Sequence, residues 1–405
     1  MTDFMVEQGS GPARRTRVGW SGGYHAVMLG PTLLSIPFGF LIAAPLTALL
    51  VRIGRRAGTL DSQGTAGHAK ELRAIPNIGG IAIAAATLGP LAIGLILLAV
   101  APGMLGSFGV SAESFADRLD SERSAWWTIV IGGIVMHAVG LYDDRRALPP
   151  LPKLFIQLGV AAAVVVIGGL RLFTVLDAFG GPGIALSATL TVAWIVVICN
   201  AINFLDNMDG LAGGVAAIAA AIFMAATIIN GQWFTAAAFG LLCGGLMGFL
   251  VHNVPPARIF LGDGGSLVIG WLLATLTVRT TFVDTADPDF ALGSAWYGVL
   301  MPVIVLAIPI YDLVSVSLIR IRQGRSPLVG DQQHLSHRLV GLGLSRRSAV
   351  LVIWGLSAAT GIGGIVLGSV QPWQAVMIGA QTASILLVLG LLESGARRRR
   401  DGVGG

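Results

Sequence analysis

Residues 184–229 read IALSATLTVAWIVVICNAINFLDNMDGLAGGVAAIAAAIFMAATII. Two apolar runs, 184–202 and 211–229, are each long enough for the roughly 20 residues that cross a bilayer as a helix. Between and into them runs Asn200, Asn203, Asp206 and Asp209, one polar residue at every third position. That spacing lays a polar stripe down one face of a helix end. The Gly-Leu-Ala-Gly-Gly run that follows lets backbones approach closely. Carboxylates set in so apolar a region are costly unless they bind something. Polar helix–helix glue accounts poorly for the stripe, since glue rarely needs two carboxylates.

The rest of the chain repeats the apolar theme. Of its 405 residues 54% are hydrophobic and 12% charged, with mean hydropathy +0.79, against roughly 25% charge in soluble domains. A soluble globule, a disordered chain and a coiled coil are excluded. Eleven apolar segments stand near 27–51, 78–101, 126–142, 154–170, 184–202, 211–229, 233–251, 265–283, 296–319, 349–368 and 373–392. The expected fold is all-α: a polytopic integral membrane protein with about 10–11 transmembrane helices. Its expected organisation is an N-terminal tail (1–26), a single transmembrane domain (27–395) and a basic C-terminal tail (396–405). The two cysteines, Cys199 and Cys243, both lie in apolar segments, which argues against a disulfide framework or a thiolate metal site.

Alternate loops differ in charge. The segments 52–76, 143–153, 203–210, 252–264, 320–348 and 396–405 hold 19 of the 26 Lys and Arg, and the opposite side holds seven. By the positive-inside rule the first set is cytoplasmic. That face carries nine acids and a net +10, while the outer side carries ten acids and a net −3. The overall +5 therefore conceals a strongly cationic face. In a membrane protein such a face reports topology and suits anionic substrates; no nucleic acid partner is expected. The expected location is the inner (plasma) membrane, multi-pass, with the active site facing the cytoplasm.

Five segments on that face carry the unusual polar residues. Besides the Asn/Asp stripe there is Gly140-Leu-Tyr-Asp143-Asp144-Arg145-Arg146, running on to Lys153. Its adjacent acids need a compensating arginine, a divalent cation or a raised pKa, and a raised pKa suits a general base. A charge pair at a headgroup boundary is the simpler account of that dipeptide alone. Next is His252-Asn253-Val-Pro255-Pro256-Ala257-Arg258-Ile-Phe260-Leu-Gly262-Asp263-Gly264-Gly265-Ser266. Here an acid among glycines at a helix start can meet a metal or phosphate, though an Asp N-cap would look the same. Phe260 offers a stacking face for a base. The fourth, Gly330-Asp331-Gln-Gln-His334-Leu-Ser336-His337-Arg338-Leu339, reads as a phosphate clamp rather than a zinc site. The fifth, from His68 through Lys70 and Arg73 to Pro76 and Gly80, is an anionic-substrate contact or a cationic anchor. Asp312, inside the ninth segment, is an acid at membrane depth. Carboxylates and cations together at an interface suit Mg²⁺ with a phosphate substrate, and the membrane setting suits a lipid as one reactant.

At these loops, from about residue 60 to 345, the chain resembles the polyprenyl-phosphate N-acetylhexosamine-1-phosphate transferases, of the glycosyltransferase 4 type. The resemblance rests on the Asp-Asp loop with its later lysine, the Asn-x-x-Asn-x-x-Asp-x-x-Asp-Gly-Leu-Ala stretch, Pro-Ala-x-x-Phe-x-Gly-Asp-x-Gly-Ser, and Asp-x-x-His-Leu-x-His-Arg-Leu. Four such motifs in order are strongly specific. The last looks closer to the undecaprenyl-phosphate N-acetylglucosaminyl-1-phosphate transferase branch than to the phospho-N-acetylmuramoyl-pentapeptide transferase branch. The resemblance implies transfer of a sugar 1-phosphate from a UDP-sugar to a polyprenyl phosphate, with Mg²⁺ (Mn²⁺ as its substitute) and release of UMP, starting a cell-envelope glycan. It also suggests a homodimer.

Carried over by resemblance, Asp143 deprotonates the lipid phosphate with Asp144 beside it, and Asp263 and Asp144 meet the metal. Asn200, Asn203, Asp206 and Asp209 position nucleotide and phosphates, Phe260 stacks on uracil, and Lys153 neutralises phosphate charge. His334, His337 and Arg338 meet the sugar phosphate, and Lys70 contacts substrate. Two positions depart from the family pattern: Asn207 stands where a glycine is usual, and Ser336 where one of a histidine pair often occurs. A membrane transporter of a lipid-linked or nucleotide substrate is the alternative from another class, but transporters site their polar groups near the midplane, whereas here all but Asp312 cluster at one face.

Overall fold

A computed structural model describes residues 22–57, 75–101, 112–281, 298, 300–327 and 333–402. Helices α1 (Gly22–Ala57), α2 (Gly80–Val100), α3 (Ala112–Asp143), α4 (Pro150–Val166) and α5 (Gly180–Leu205) come first. They are followed by α6 (Leu211–Ile229), α7 (Trp233–Asn253), α8 (Gly262–Thr281), α9 (Met301–Val305) and α10 (Ala307–Arg322). The last three are α11 (Leu335–Gly341), α12 (Arg346–Gly361) and α13 (Pro372–Gly402). Among the described residues there is no strand, and the all-α expectation holds.

Eight of these helical segments are long and apolar enough to cross a membrane, so the chain is a multi-pass membrane protein. The other three of the eleven apolar segments are also helical, and the difference has physical reasons. α4 has only 17 residues. α8 has 20 residues but carries Asp263, Arg279 and several threonines. In the described part of the 296–319 segment, α9 and α10 are divided at Leu306, and α10 carries Asp312, Arg320 and Arg322. α8 lies in the interior, with Leu267–Val278 almost wholly buried. A helix surrounded by protein need not be uniformly apolar. At the C-terminus α13 continues through 396–402, so most of the expected tail is helix.

The bundle centres on α6, α7 and α8. In the spans of α6 and α7 72% of residues are buried, against 11% for α13. α13 and α1 instead turn large apolar side chains outward, among them Leu34, Phe38, Leu41, Val376 and Leu387, as a lipid-facing surface requires. α7 packs along α1 and α6, and α8 along α3 and α5. The α1–α7 contact is a small-residue seam. A Cβ on Gly248 would lie 2.8 Å from Ala44 N, one on Gly39 would lie 2.5 Å from Leu241 O, and one on Gly244 would collide with Ile36 O. Glycines at 240, 244 and 248 clear one face of α7, the arrangement that lets helices pack by van der Waals contact where no hydrophobic drive exists.

Candidate active site

The polar loops meet at one end of the bundle. α3 ends in Asp143 and α4 brings Lys153 back beside it. Lys153 Nζ donates to Asp143 Oδ2 at 2.8 Å and to Asp263 Oδ2 at 2.5 Å. Asp143 Oδ1 also accepts the Leu148 backbone N–H at 2.6 Å, which shapes the α3–α4 connection. From α5, Asn203 Nδ2 donates to Asp263 Oδ1 at 2.9 Å and to Ser266 Oγ at 2.8 Å. Three helices and the start of a fourth thus close on the Asp263 carboxylate, whose side chain stays one-third exposed.

Asp144 has a different job from its neighbour. Its Oδ1 accepts the Asp263 backbone N–H at 2.8 Å and Asn77 Nδ2 at 2.9 Å, and its Oδ2 accepts the Gly264 N–H at 3.0 Å. It therefore caps the N-terminus of α8 from the turn just after α3, satisfying N–H groups a helix start leaves open. Glycine makes this approach feasible. Gly262 sits at φ +72, and a Cβ there would stand 2.6 Å from Asn77 Oδ1 and from Asp144 Oδ2. Burial, and then the Asp263 charge beside it, push the Asp144 carboxyl up to about 7. Two acids adjacent in sequence are thereby separated in chemistry: Asp143 is paired with an ammonium, while Asp144 is divided between protonation states near neutrality.

The neighbouring loops are tied together. Asp209 Oδ2 accepts the Ala257 N–H at 3.1 Å, linking the loop after α5 to the loop before α8. Asn253 spans the same gap, accepting from Gly210 N at 2.9 Å and donating to Ile259 O at 2.8 Å. Phe260 is half-buried, and its backbone pairs with Pro76 and Gly79, bringing in the end of the fifth polar segment. Asp206 lies one turn beyond Asn203 at the C-terminus of α5. Asn200 stands apart from the carboxylates: its Nδ2 donates to Gln157 Oε1 at 2.6 Å and to Val196 O at 2.8 Å.

The His loop is anchored inward. His334 Nδ1 meets Asp312 Oδ2 at 2.9 Å, and Arg338 Nε lies 3.2 Å from Glu393 Oε1. Both side chains are at most 10% exposed, whereas His337 is half-buried. Asn207 and Ser336, the two departures from the family pattern, hydrogen-bond to each other. Lys70 lies outside the described residues.

Sequence reasoning assigned no role to Asn77, Ser266 or Gln157. The first two stood inside quoted motifs. Gln157 had a signal of its own, a polar residue one turn beyond Lys153 in an apolar helix.

Among the described residues no three His, Cys, Asp or Glu side chains converge as a metal-holding group. Mg²⁺ needs fewer, because it takes one or two carboxylates and fills its octahedron with water and substrate oxygens. Asp143, Asp144 and Asp263 bring up to three negative charges to a site where Lys153 bridges Asp143 and Asp263. The donor set is all hard oxygen. In chemistry these residues fit a divalent cation.

Residues 126–281 match glycosyl transferase family 4. The chain is 33% identical over 348 residues to the decaprenyl-phosphate N-acetylglucosaminephosphotransferase of Mycobacterium leprae, covering 80% of this chain and 81% of that protein. It is 29% identical over 363 residues to a probable undecaprenyl-phosphate N-acetylglucosaminyl 1-phosphate transferase of Bacillus subtilis, covering 87% and 90%. The undecaprenyl-phosphate alpha-N-acetylglucosaminyl 1-phosphate transferase of Escherichia coli K12 is 27% identical over 228 residues, 54% of this chain and 59% of that one.

Proposed function

From the premise that the chain belongs to glycosyl transferase family 4, as a phosphotransferase of the polyprenyl-phosphate N-acetylhexosamine-1-phosphate type, we propose that it moves N-acetylglucosamine 1-phosphate from UDP-N-acetylglucosamine to a polyprenyl phosphate. The observation that carries this is the Asp143–Lys153–Asp263–Asn203 cluster at the polar end of an apolar bundle. An anionic nucleotide arriving from water and a lipid phosphate arriving from the bilayer can both reach such a place. The names of the relatives favour N-acetylglucosamine over the pentapeptide nucleotide.

The reaction balances as a displacement at phosphorus. A lipid phosphate oxygen forms a bond to the β-phosphorus, the bond from that phosphorus to the bridging oxygen breaks, and UMP leaves with the electron pair. Catalysis of this kind is mainly positioning and charge neutralisation. Mg²⁺, when bound, supplies charge neutralisation at the phosphate oxygens, and Asp263 with Asp144 would hold it. Asp143 takes the proton of a monoprotonated lipid phosphate. Lys153, already between Asp143 and Asp263, moves its ammonium toward the incoming phosphates as these acids take up other partners. Asn203 fixes the Asp263 carboxylate in one orientation. Asp206 and Asp209 border the nucleotide, with Phe260 as the ring against its base. The polar end faces the cytoplasm of the inner membrane, where nucleotide-sugars are made.

The test incubates membranes carrying the protein with polyprenyl phosphate, Mg²⁺ and a panel of UDP-sugars, and measures UMP. Release with UDP-N-acetylglucosamine alone is the expected result. Release only with the muramoyl-pentapeptide nucleotide would replace the donor, and substrate uptake without UMP would point to a transporter.

A further inference from the structure

The buried ionic cluster around Asp312 touches none of the carboxylates of the site, and yet it is extensive. Asp312 is fully buried in α10. An acid there is tolerated only with partners in place. Its Oδ1 accepts the Leu335 N–H at 2.6 Å, its Oδ2 pairs with His334, and Arg338 Nη2 lies 3.7 Å away. Arg338 also donates to Ser315 Oγ at 2.7 Å, and Tyr311 donates to Glu393 Oε2 at 3.0 Å. Apart from the Tyr311–Glu393 bond, which joins α10 to α13, these contacts attach one element, α11. With seven residues α11 is too short to hold its shape alone, since isolated helices of that length are unstable in water. It is riveted instead to α10 and α13.

The other side of α11 faces the loop after α5. Ser336, almost wholly buried, donates to Asn207 Oδ1, and Asn207 Nδ2 donates to Phe204 O at 2.8 Å. The Phe204 ring meets His334 edge-on at 5.6 Å and lies 5.1 Å from the Arg320 guanidinium. A continuous path of contacts therefore runs from Asp312 through His334 and Ser336 to Phe204 and Asn207. Asn203, which orients Asp263, and the acids Asp206 and Asp209 sit on that same segment.

We infer that Asp312 and the Ser336–Asn207 clasp are positioning residues for the transfer reaction: they set the height of the 206–210 loop, between α5 and α6, against the nucleotide. On this account His334 and Arg338 act through the loop rather than on the sugar phosphate. The inference rests on the proposed nucleotide-sugar reaction, and it predicts an effect confined to the donor substrate.

The experiment is a double-mutant cycle in the full chain purified in detergent: N207A, S336A and the pair, with D312N as a separate variant. UMP release is followed against UDP-N-acetylglucosamine and, separately, against polyprenyl phosphate. S336A should raise the donor KM about five-fold, the loss of one ordinary net hydrogen bond, and N207A, which also loses the bond to Phe204 O, by at least as much. kcat should stay within about two-fold and the lipid KM should not change. The double variant should be no worse than the poorer single one, because both substitutions break the same contact. Folded D312N should raise the same KM. An unchanged donor KM, or effects that multiply in the double variant, would overturn the inference. A merely structural contact would lower the melting temperature and leave KM alone. Should the wild type release no UMP with any donor, the proposed function falls and the positioning role with it. The clasp itself would still be judged by thermal unfolding, where additive shifts would refute it.

Discussion

Replacing Lys153 with methionine keeps an unbranched apolar stem of nearly the same length and removes the charge. In the structure that charge lies 2.8 Å from Asp143 and 2.5 Å from Asp263, on a side chain only 14% exposed. Breaking a buried pair by deleting one partner costs about 3–5 kcal/mol, because the other charge is left uncompensated. The exposure of Asp263 places this site at the lower end, about 3 kcal/mol. At 1.36 kcal/mol per decade, that is a loss of about a hundred-fold in kcat/KM if the same interaction is used in the transition state. The assay is UMP release by purified protein at saturating Mg²⁺, with circular dichroism to establish that the helices persist. K153R, which keeps the charge but not the point-like geometry, should recover part of the loss. K153M protein within three-fold of the wild-type rate would refute the argument that Lys153 is the working counter-ion of the site.

Four further outcomes are expected. D143N and D263N should each abolish turnover while the protein still inserts and melts cooperatively, measured by UMP release beside thermal unfolding; wild-type rates in either would sink the assigned roles. The Asp144 carboxyl has a folded pKa near 7, raised above its unfolded value of roughly 3.9. Between those pH values the folded state holds a proton that the unfolded state has lost, so in EDTA the melting temperature should fall as pH rises from about 4 to 7. D144N should flatten that dependence, and an identical slope in the variant would contradict it. N200A should lower the melting temperature and leave both KM values unchanged, because Asn200 holds Gln157 rather than substrate; a donor KM raised ten-fold would show otherwise. G244V should collide with Ile36 O and cost about 1–3 kcal/mol, read as a lower melting temperature in detergent; an unchanged one would deny the α1–α7 seam.

Much of this was legible before any coordinates. Apolar runs and loop charge sufficed for an all-α membrane bundle, because the bilayer imposes one length and one polarity on every crossing. The stripe from Asn203 to Asp209 and the acids Asp143, Asp144 and Asp263 stood out because carboxylates among apolar residues are rare. What sequence could not supply was direction. Asp143 and Asp144 are adjacent in the chain, but one turns to Lys153 and the other to the start of α8, a difference decided by tertiary packing. Asn200 and Asn203 share a stripe three residues apart, yet Asn200 turns to Gln157 on α4. His334 and Arg338 looked like a clamp because their inward partners, Asp312 and Glu393, lie 22 and 55 residues away along the chain. Separation in sequence also hid Asn77, which reaches Asp144, 67 residues on, only once the start of α2 and the end of α3 are brought together.

The most direct test of the central claim is a single radiochemical measurement. Purified protein is mixed with UDP-N-acetylglucosamine labelled in the β-phosphate, polyprenyl phosphate and Mg²⁺, and the lipid and aqueous phases are separated. The account predicts that the label passes to the lipid together with the sugar, and that unlabelled UMP appears in equal amount in the water. Label left in the aqueous phase as UDP, with sugar alone on the lipid, would contradict it.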